Sequence, residues 1–239
     1  MNWRSAIPNA LTMSNLLFGL LSIIYAFHGN FKWAAFCIIL GALADLFDGA
    51  AARALGVAGP LGVQLDSLAD VVTFGVAPGL LLYTLSAELG GANGGTGNWA
   101  WDIVPQAPLM IPLFSAFRLA KFNISTDQKT HFLGLPTPAM ALASLFIPLY
   151  YTYGAGDSLW LSPLLIAVWS VVISLLMVSN IPLMSFKGSG RGWAENKWKY
   201  LMLFSMGASL GFFGWTGIPI SLLLYLLFSR IHFNRLLKS

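Results

Sequence analysis

Four aspartates stand out by type and spacing. Asp45 and Asp48 are three residues apart, and Asp66 and Asp70 are four apart; on helices each pair shares one face. All four lie within apolar stretches, where a charge costs at least a few kcal/mol and is kept for function. The other acidic residues, Glu88, Asp102, Asp127, Asp157 and Glu195, fall in expected loops or at span ends. Carboxylates brought together repel, and they either protonate or bind cations. Hard oxygen donors suit Mg²⁺, Mn²⁺ or Ca²⁺, and two such ions can clamp a diphosphate together with its attacking and leaving oxygens. Gly49 follows Asp48 and removes bulk beside the carboxylates. Arg53, four residues on and on the same face, can fork onto phosphate oxygens, and Gly62, four before Asp66, opens the facing helix. One arginine cannot neutralise four aspartates, which argues against an inert ion-pair cluster.

The elements that must position these groups are membrane helices. The chain is 57% hydrophobic and 9% charged, against roughly 25% charged for a soluble domain. Apolar stretches long enough to span a bilayer recur along it. Eight spans are expected, at about 10–27, 33–54, 61–85, 107–123, 137–153, 161–180, 198–214 and 217–231. The second and third carry the aspartates and are joined by the short turn "GVAGP", so the pairs lie toward one end of adjacent antiparallel helices and can meet. With eight spans, Arg4, Arg53, Arg118, Lys121, Lys129, Lys187 and the remaining Lys and Arg fall on one side, and Lys32 alone on the other. The positive-inside rule then puts both termini, and the aspartates, on the cytoplasmic side. "GGANGGTGN" (90–98) is an outer loop, and "IPLMSFKGSGRGWAENKWK" (181–199) the longest basic inner one. The net charge of +4 suits anionic headgroups rather than nucleic acid. Cys37, the one cysteine, has no internal disulfide partner and reads as a packed thiol. No cleaved signal peptide is expected, and no internal repeat is visible.

Written out, the stretch is Asp45-x-x-Asp48-Gly49-x-x-Ala52-Arg53, eight residues, then Gly62-x-x-x-Asp66-x-x-x-Asp70. This resembles the signature of the CDP-alcohol phosphatidyltransferase family at every fixed position. The segments "IPNALTMSNLLFGL" (7–20), "DSLADVVTFGVAPG" (66–79), "FRLAKFNI" (117–124), "FLGLPTPAMA" (132–141) and "SNIPLMSFK" (179–187) narrow it to the branch that makes phosphatidylserine. The resemblance implies an all-α, polytopic, usually dimeric protein. A catalytic six-helix core would occupy 1–180 of a single membrane domain, with a basic loop and C-terminal hairpin over 181–239. It implies two divalent cations, Mg²⁺ or Mn²⁺, on Asp45, Asp48, Asp66 and Asp70, with Asp70 also the general base. Gly49 and Arg53 would contact the diphosphate of a CDP-diacylglycerol donor. One departure is Gly59, where relatives often carry a hydroxyl residue.

With L-serine as acceptor, the pocket needs a cation for its carboxylate. Arg118 and Lys121, three apart at the inner end of span four, and Lys187 are the candidates; ordinary positive-inside anchoring is their competing role. Thr12 and Asn15, three apart on span one, either reach the cytidine of the donor or join helices. His28, His131 and His232 have no ligand spacing. Two other functions compete. A relative with another acceptor, glycerol 3-phosphate or an inositol phosphate, would need more positive charge near the site. An ion-coupled transporter would be expected to show repeat symmetry. Acceptor-dependent CMP release separates the first, and cation-driven uptake without CMP release marks the second.

Overall fold

The computed structural model describes residues 3–57, 59–90, 103–124, 131–154, 161–184 and 193–236. Helix α1 spans Trp3–Phe27 and α2 spans Phe31–Leu55. The two pack along their length. Gly56 closes α2 in the left-handed region, with φ 64°, and its N–H and that of Val57 reach back to the last-turn carbonyls. Glycine adopts that conformation without steric penalty. Pro60 then opens α3, which runs over Pro60–Leu89. Proline suits a first helical position because its missing N–H has no partner there anyway.

α3 is interrupted by a wide π-helical turn at Val71–Val76. The turn ends two residues before Pro78, which has no N–H to give to the Phe74 carbonyl. It carries Thr73, fully buried, into the seam between α1 and α2. The Thr73 hydroxyl donates to the Asn15 carbonyl at 2.9 Å. A Cβ on either Gly19 or Gly41 would come within 2.5 Å of the Thr73 side chain, so three helices meet there at glycine-sized spacing. On the opposite face Gly75 and Gly79 admit α4, Met110–Ile124, which follows a 3₁₀ turn at Val104–Leu109. A Cβ on Gly75 would lie 2.9 Å from the Ser115 Cβ, and one on Gly79 2.7 Å from the Pro112 Cδ.

The remaining helices are α5, Thr137–Ser144; α6, Phe146–Tyr153; α7, Pro163–Val178; α8, Trp193–Phe213; and α9, Gly217–Leu236. Four helical stretches among the described residues are long and apolar enough to cross a membrane: Trp3–Phe27, Phe31–Leu55, Pro60–Leu89 and Tyr200–Phe233. The last folds back as the hairpin expected from the sequence. Ser209 of α8 lies 2.7 Å from Ser221 of α9, hydroxyl to hydroxyl. α7 is shorter but apolar. It turns Leu164, Val168, Val172 and Leu175 outward while burying Ser170 and Ser174. Apolar-out and polar-in is the pattern of a helix facing lipid, where hydroxyls find partners only inside the bundle. The chain is a helical, polytopic integral membrane protein.

The boundaries depart from expectation in three places. The first helix begins at Trp3, about two turns before the expected 10, with Pro8 inside it. The fifth expected span is two helices that break at Leu145, because Pro148 cannot donate to the Ser144 carbonyl. The fold also contains a strand pair that an all-α reading omits. β1, His131–Leu133, and β2, Pro182–Met184, pair antiparallel, with His131 opposite Met184. Gly134 follows β1 at φ 74°, and a Cβ there would collide with the Met177 carbonyl oxygen.

A Gly134→Ala variant combines that collision with a left-handed backbone that costs about 1–2 kcal/mol for a residue with a side chain. It is expected to lower the apparent unfolding temperature in detergent by several degrees, as read by thermal unfolding; an unchanged transition would contradict the packing described.

Candidate functional site

Asp48 lies seven residues before the end of α2 and Asp66 six after the start of α3. At 1.5 Å per residue both sit roughly 10 Å in from the shared turn. The carboxylates therefore meet at one depth. Oxygens of Asp45, Asp48 and Asp66 all lie within 4.8 Å of one another. Asp70 stands one turn further along α3, 8% exposed, and its charge interacts with those of Asp45, Asp66 and Asp48.

α1 supplies the groups that hold this cluster. The Thr12 hydroxyl reaches Asp48 Oδ2 at 2.6 Å, with the Pro8 carbonyl at 3.0 Å as its other acceptor. Asn15, fully buried, donates from Nδ2 to Asp70 Oδ1 at 3.4 Å. Its own Oδ1 is buried with no hydrogen-bond donor among the described residues. The pair at 12 and 15 therefore touches the carboxylates directly, one aspartate each. Three convergent carboxylates, with a fourth close by, supply the oxygen-rich, negatively charged donor set that a hard divalent cation takes, so the residues present fit such an ion.

Arg53 is exposed on the last turn of α2. Its guanidinium folds back along the helix, so that a Cβ on Gly49 would lie 3.3 Å from Nη1. Gly49 thus makes room for Arg53 as well as leaving the space beside Asp48 open. A Cβ on Gly62 would meet only Asn9 Oδ1, at 3.9 Å, so that face of α3 is open as expected.

A cleft lined by Arg118, Lys121, Phe122, Leu133, Met177, Val178 and Ser179 lies between α4, β1 and the end of α7. Both cations expected on α4 border it. Lys121 is exposed, whereas Arg118 is 8% exposed. Arg118 Nη1 donates to Thr137 Oγ1 at 3.1 Å, and Nε is buried with no acceptor among the described residues. The guanidinium is also close enough to Asp70 and Tyr225 for electrostatic interaction. A buried cation with an unsatisfied N–H, beside an open cleft and near the carboxylate cluster, is equipped to take a small anionic group. Lys187 lies outside the described residues. His28, just past the end of α1 and far from Thr12 and Asn15, is exposed and bonds the Ile24 carbonyl at 2.7 Å.

Sequence reasoning passed over Thr137 and Tyr225. Thr137 sits within the quoted "GLPTPAMA" stretch, so its place there was a usable signal. Tyr225 lies in an apolar helix and offers no local pattern.

The CDP-alcohol phosphatidyltransferase family profile matches residues 5–180. Over 187 residues the chain is 34% identical to the CDP-diacylglycerol–serine O-phosphatidyltransferase of Helicobacter pylori, covering 75% of this chain and 72% of that protein. It is 34% identical over 181 residues to the protein of the same name from Bacillus subtilis, covering 76% and 91%. It is 33% identical over 188 residues to the archaetidylserine synthase of Methanothermobacter thermautotrophicus, covering 77% and 72%.

Thr12→Val removes a hydrogen bond to a carboxylate of the cluster while keeping side-chain shape. Loss of such a supporting bond is expected to weaken divalent-cation affinity by about 10- to 100-fold, as measured by Mn²⁺ titration of the purified protein; affinity equal to the wild type would separate Thr12 from the metal site.

Proposed function

This chain belongs to the CDP-alcohol phosphatidyltransferase family, and from that premise we propose that it transfers the phosphatidyl group of CDP-diacylglycerol to the hydroxyl of L-serine. The products are phosphatidylserine and CMP. One arrangement supports this above all: the Asp45, Asp48 and Asp66 oxygens converge within 4.8 Å, and a buried arginine borders a cleft while close enough to interact with Asp70. The names of the relatives from H. pylori, B. subtilis and M. thermautotrophicus all carry serine.

Two divalent cations, Mg²⁺ or Mn²⁺, held by Asp45, Asp48, Asp66 and Asp70 would supply charge neutralisation on the donor's diphosphate. The protein's own groups do the rest. Thr12 and Asn15 fix the orientations of Asp48 and Asp70. Arg53, folded over Gly49, binds the diphosphate; Thr12 and Asn15, bonded to Asp48 and Asp70, are also assigned to the donor's cytidine. Arg118, with Lys121 at the rim, takes the serine carboxylate and turns the hydroxyl toward the β-phosphorus. Asp70 accepts the hydroxyl proton as the new P–O bond forms and the bond to CMP breaks. The cationic groups bordering the cleft, Arg118 and Lys121, match one carboxylate better than a phosphorylated acceptor, which favours serine over glycerol 3-phosphate or an inositol phosphate.

The excess of Lys and Arg on one side of an eight-span arrangement supports an active site facing the cytoplasm, with both termini there. CMP and serine then exchange with water while the acyl chains stay in lipid. By family resemblance the enzyme is a homodimer of the cytoplasmic membrane, built on a six-helix core.

Purified protein supplied with CDP-diacylglycerol and Mg²⁺ or Mn²⁺ is expected to release CMP when serine is added; release with glycerol 3-phosphate but not with serine would overturn the acceptor. Asp70→Asn is expected to retain donor binding and to lose turnover by about a hundredfold to ten-thousandfold. Unchanged turnover would remove Asp70 from the role of base. Arg118→Gln is expected to raise the KM for serine at least tenfold, in line with loss of a charge-assisted contact.

A further inference from the structure

The family profile ends at residue 180, yet the hairpin beyond it packs against elements that adjoin the cleft. α9 packs against β2 and α5. Tyr225, 7% exposed, donates its phenol to the Met184 carbonyl at 3.1 Å. Ser229, fully buried one turn further on, accepts from the Met184 N–H at 3.1 Å. Both backbone groups of one β2 residue are thus held by α9. Met184 is in register with His131, and the pairing carries through to Leu133 opposite Pro182, while Gly134 N–H bonds the Ile181 carbonyl at 2.9 Å. Leu133 is a wall of the cleft. Leu135 N–H then bonds the Leu176 carbonyl at 3.0 Å, next to the α7 residues that form the opposite wall. Hydrogen bonds from α9 to β2, the pairing of β2 with β1, and the Gly134 and Leu135 bonds together connect α9 to both sides of the cleft.

Arg118 completes the connection. Tyr225 lies in the neighbourhood of its guanidinium, as does Asp70. Thr137, which holds Arg118 Nη1, begins α5, an element that α9 also contacts. We propose that the C-terminal hairpin is a working part of the acceptor site: Tyr225 and Ser229 are positioning residues that hold the β1–β2 ladder and Arg118 in the geometry that admits the acceptor. This rests on the cleft being the acceptor site of a phosphatidyltransferase. It adds that acceptor affinity is set in part by a segment lying outside the catalytic signature.

The test is steady-state kinetics on the full-length protein in lipid nanodiscs, with CMP release as readout. Tyr225→Phe and Ser229→Ala each delete one hydrogen-bonding group with little change of shape. Each is expected to raise the serine KM about five- to tenfold, the size of one lost hydrogen bond, while kcat and the donor KM stay within about twofold. Coupling through Arg118 further requires that Tyr225→Phe add almost nothing to the serine KM in an Arg118→Gln background. An unchanged serine KM, an equal fall in all parameters, or full additivity with Arg118→Gln would each overturn the proposal. If the wild type releases CMP only with a different acceptor, the serine assignment fails, and the same comparison run with that acceptor still decides the role of the hairpin.

Discussion

Mutual repulsion among four carboxylates in a poorly hydrated place is the constraint around which this molecule is organised. At a few ångströms, and with little water to screen them, such charges oppose one another by several kcal/mol. A fold that brings Asp45, Asp48 and Asp66 oxygens within 4.8 Å, with Asp70 interacting beside them, must offset that cost by protonation or with cations. The helices must also be held together strongly enough not to splay. Here that is achieved by close backbone approach. Thr73 is wedged between Gly19 and Gly41, and Thr12 and Asn15 bond Asp48 and Asp70 directly. The π-helical turn at Val71–Val76 serves this geometry, because it follows Asp70 directly and points Thr73 into the α1–α2 seam.

The same logic separates the two halves of the proposed chemistry. Charge for the proposed diphosphate site is concentrated on α2 and α3. The acceptor side is assembled from less regular pieces: the end of α4, the end of α7 and a three-residue strand pair. Variation in such segments can change the acceptor without touching the carboxylates. Arg118 borders the cleft and lies near Asp70, which places it between the two halves of the proposed site.

The aspartate constellation was legible in the sequence because charge at membrane depth is rare and its helical spacing is unambiguous. Arg118 and Lys121 were legible as candidates, but not their difference: Arg118 is buried by tertiary packing, with Thr137 bonded to it, which no local pattern encodes. The C-terminal hairpin was visible as two apolar runs around Gly214 and Gly217. The strands at His131–Leu133 and Pro182–Met184 were not, since three residues are too few to show an alternating pattern, and their pairing joins segments about fifty residues apart. The break at Leu145 was encoded by Pro148 and obscured by the continuous hydrophobicity around it. Thr12 and Asn15 were found by spacing, while the aspartates they hold became evident only from the packing of α1 against α2 and α3.

Anomalous diffraction from crystals of the protein grown with Mn²⁺ tests the central claim most directly. The account predicts Mn²⁺ peaks between α2 and α3, within coordinating distance of Asp45, Asp48 and Asp66. Peaks confined to other parts of the molecule, with these oxygens turned away from any ion, would contradict it.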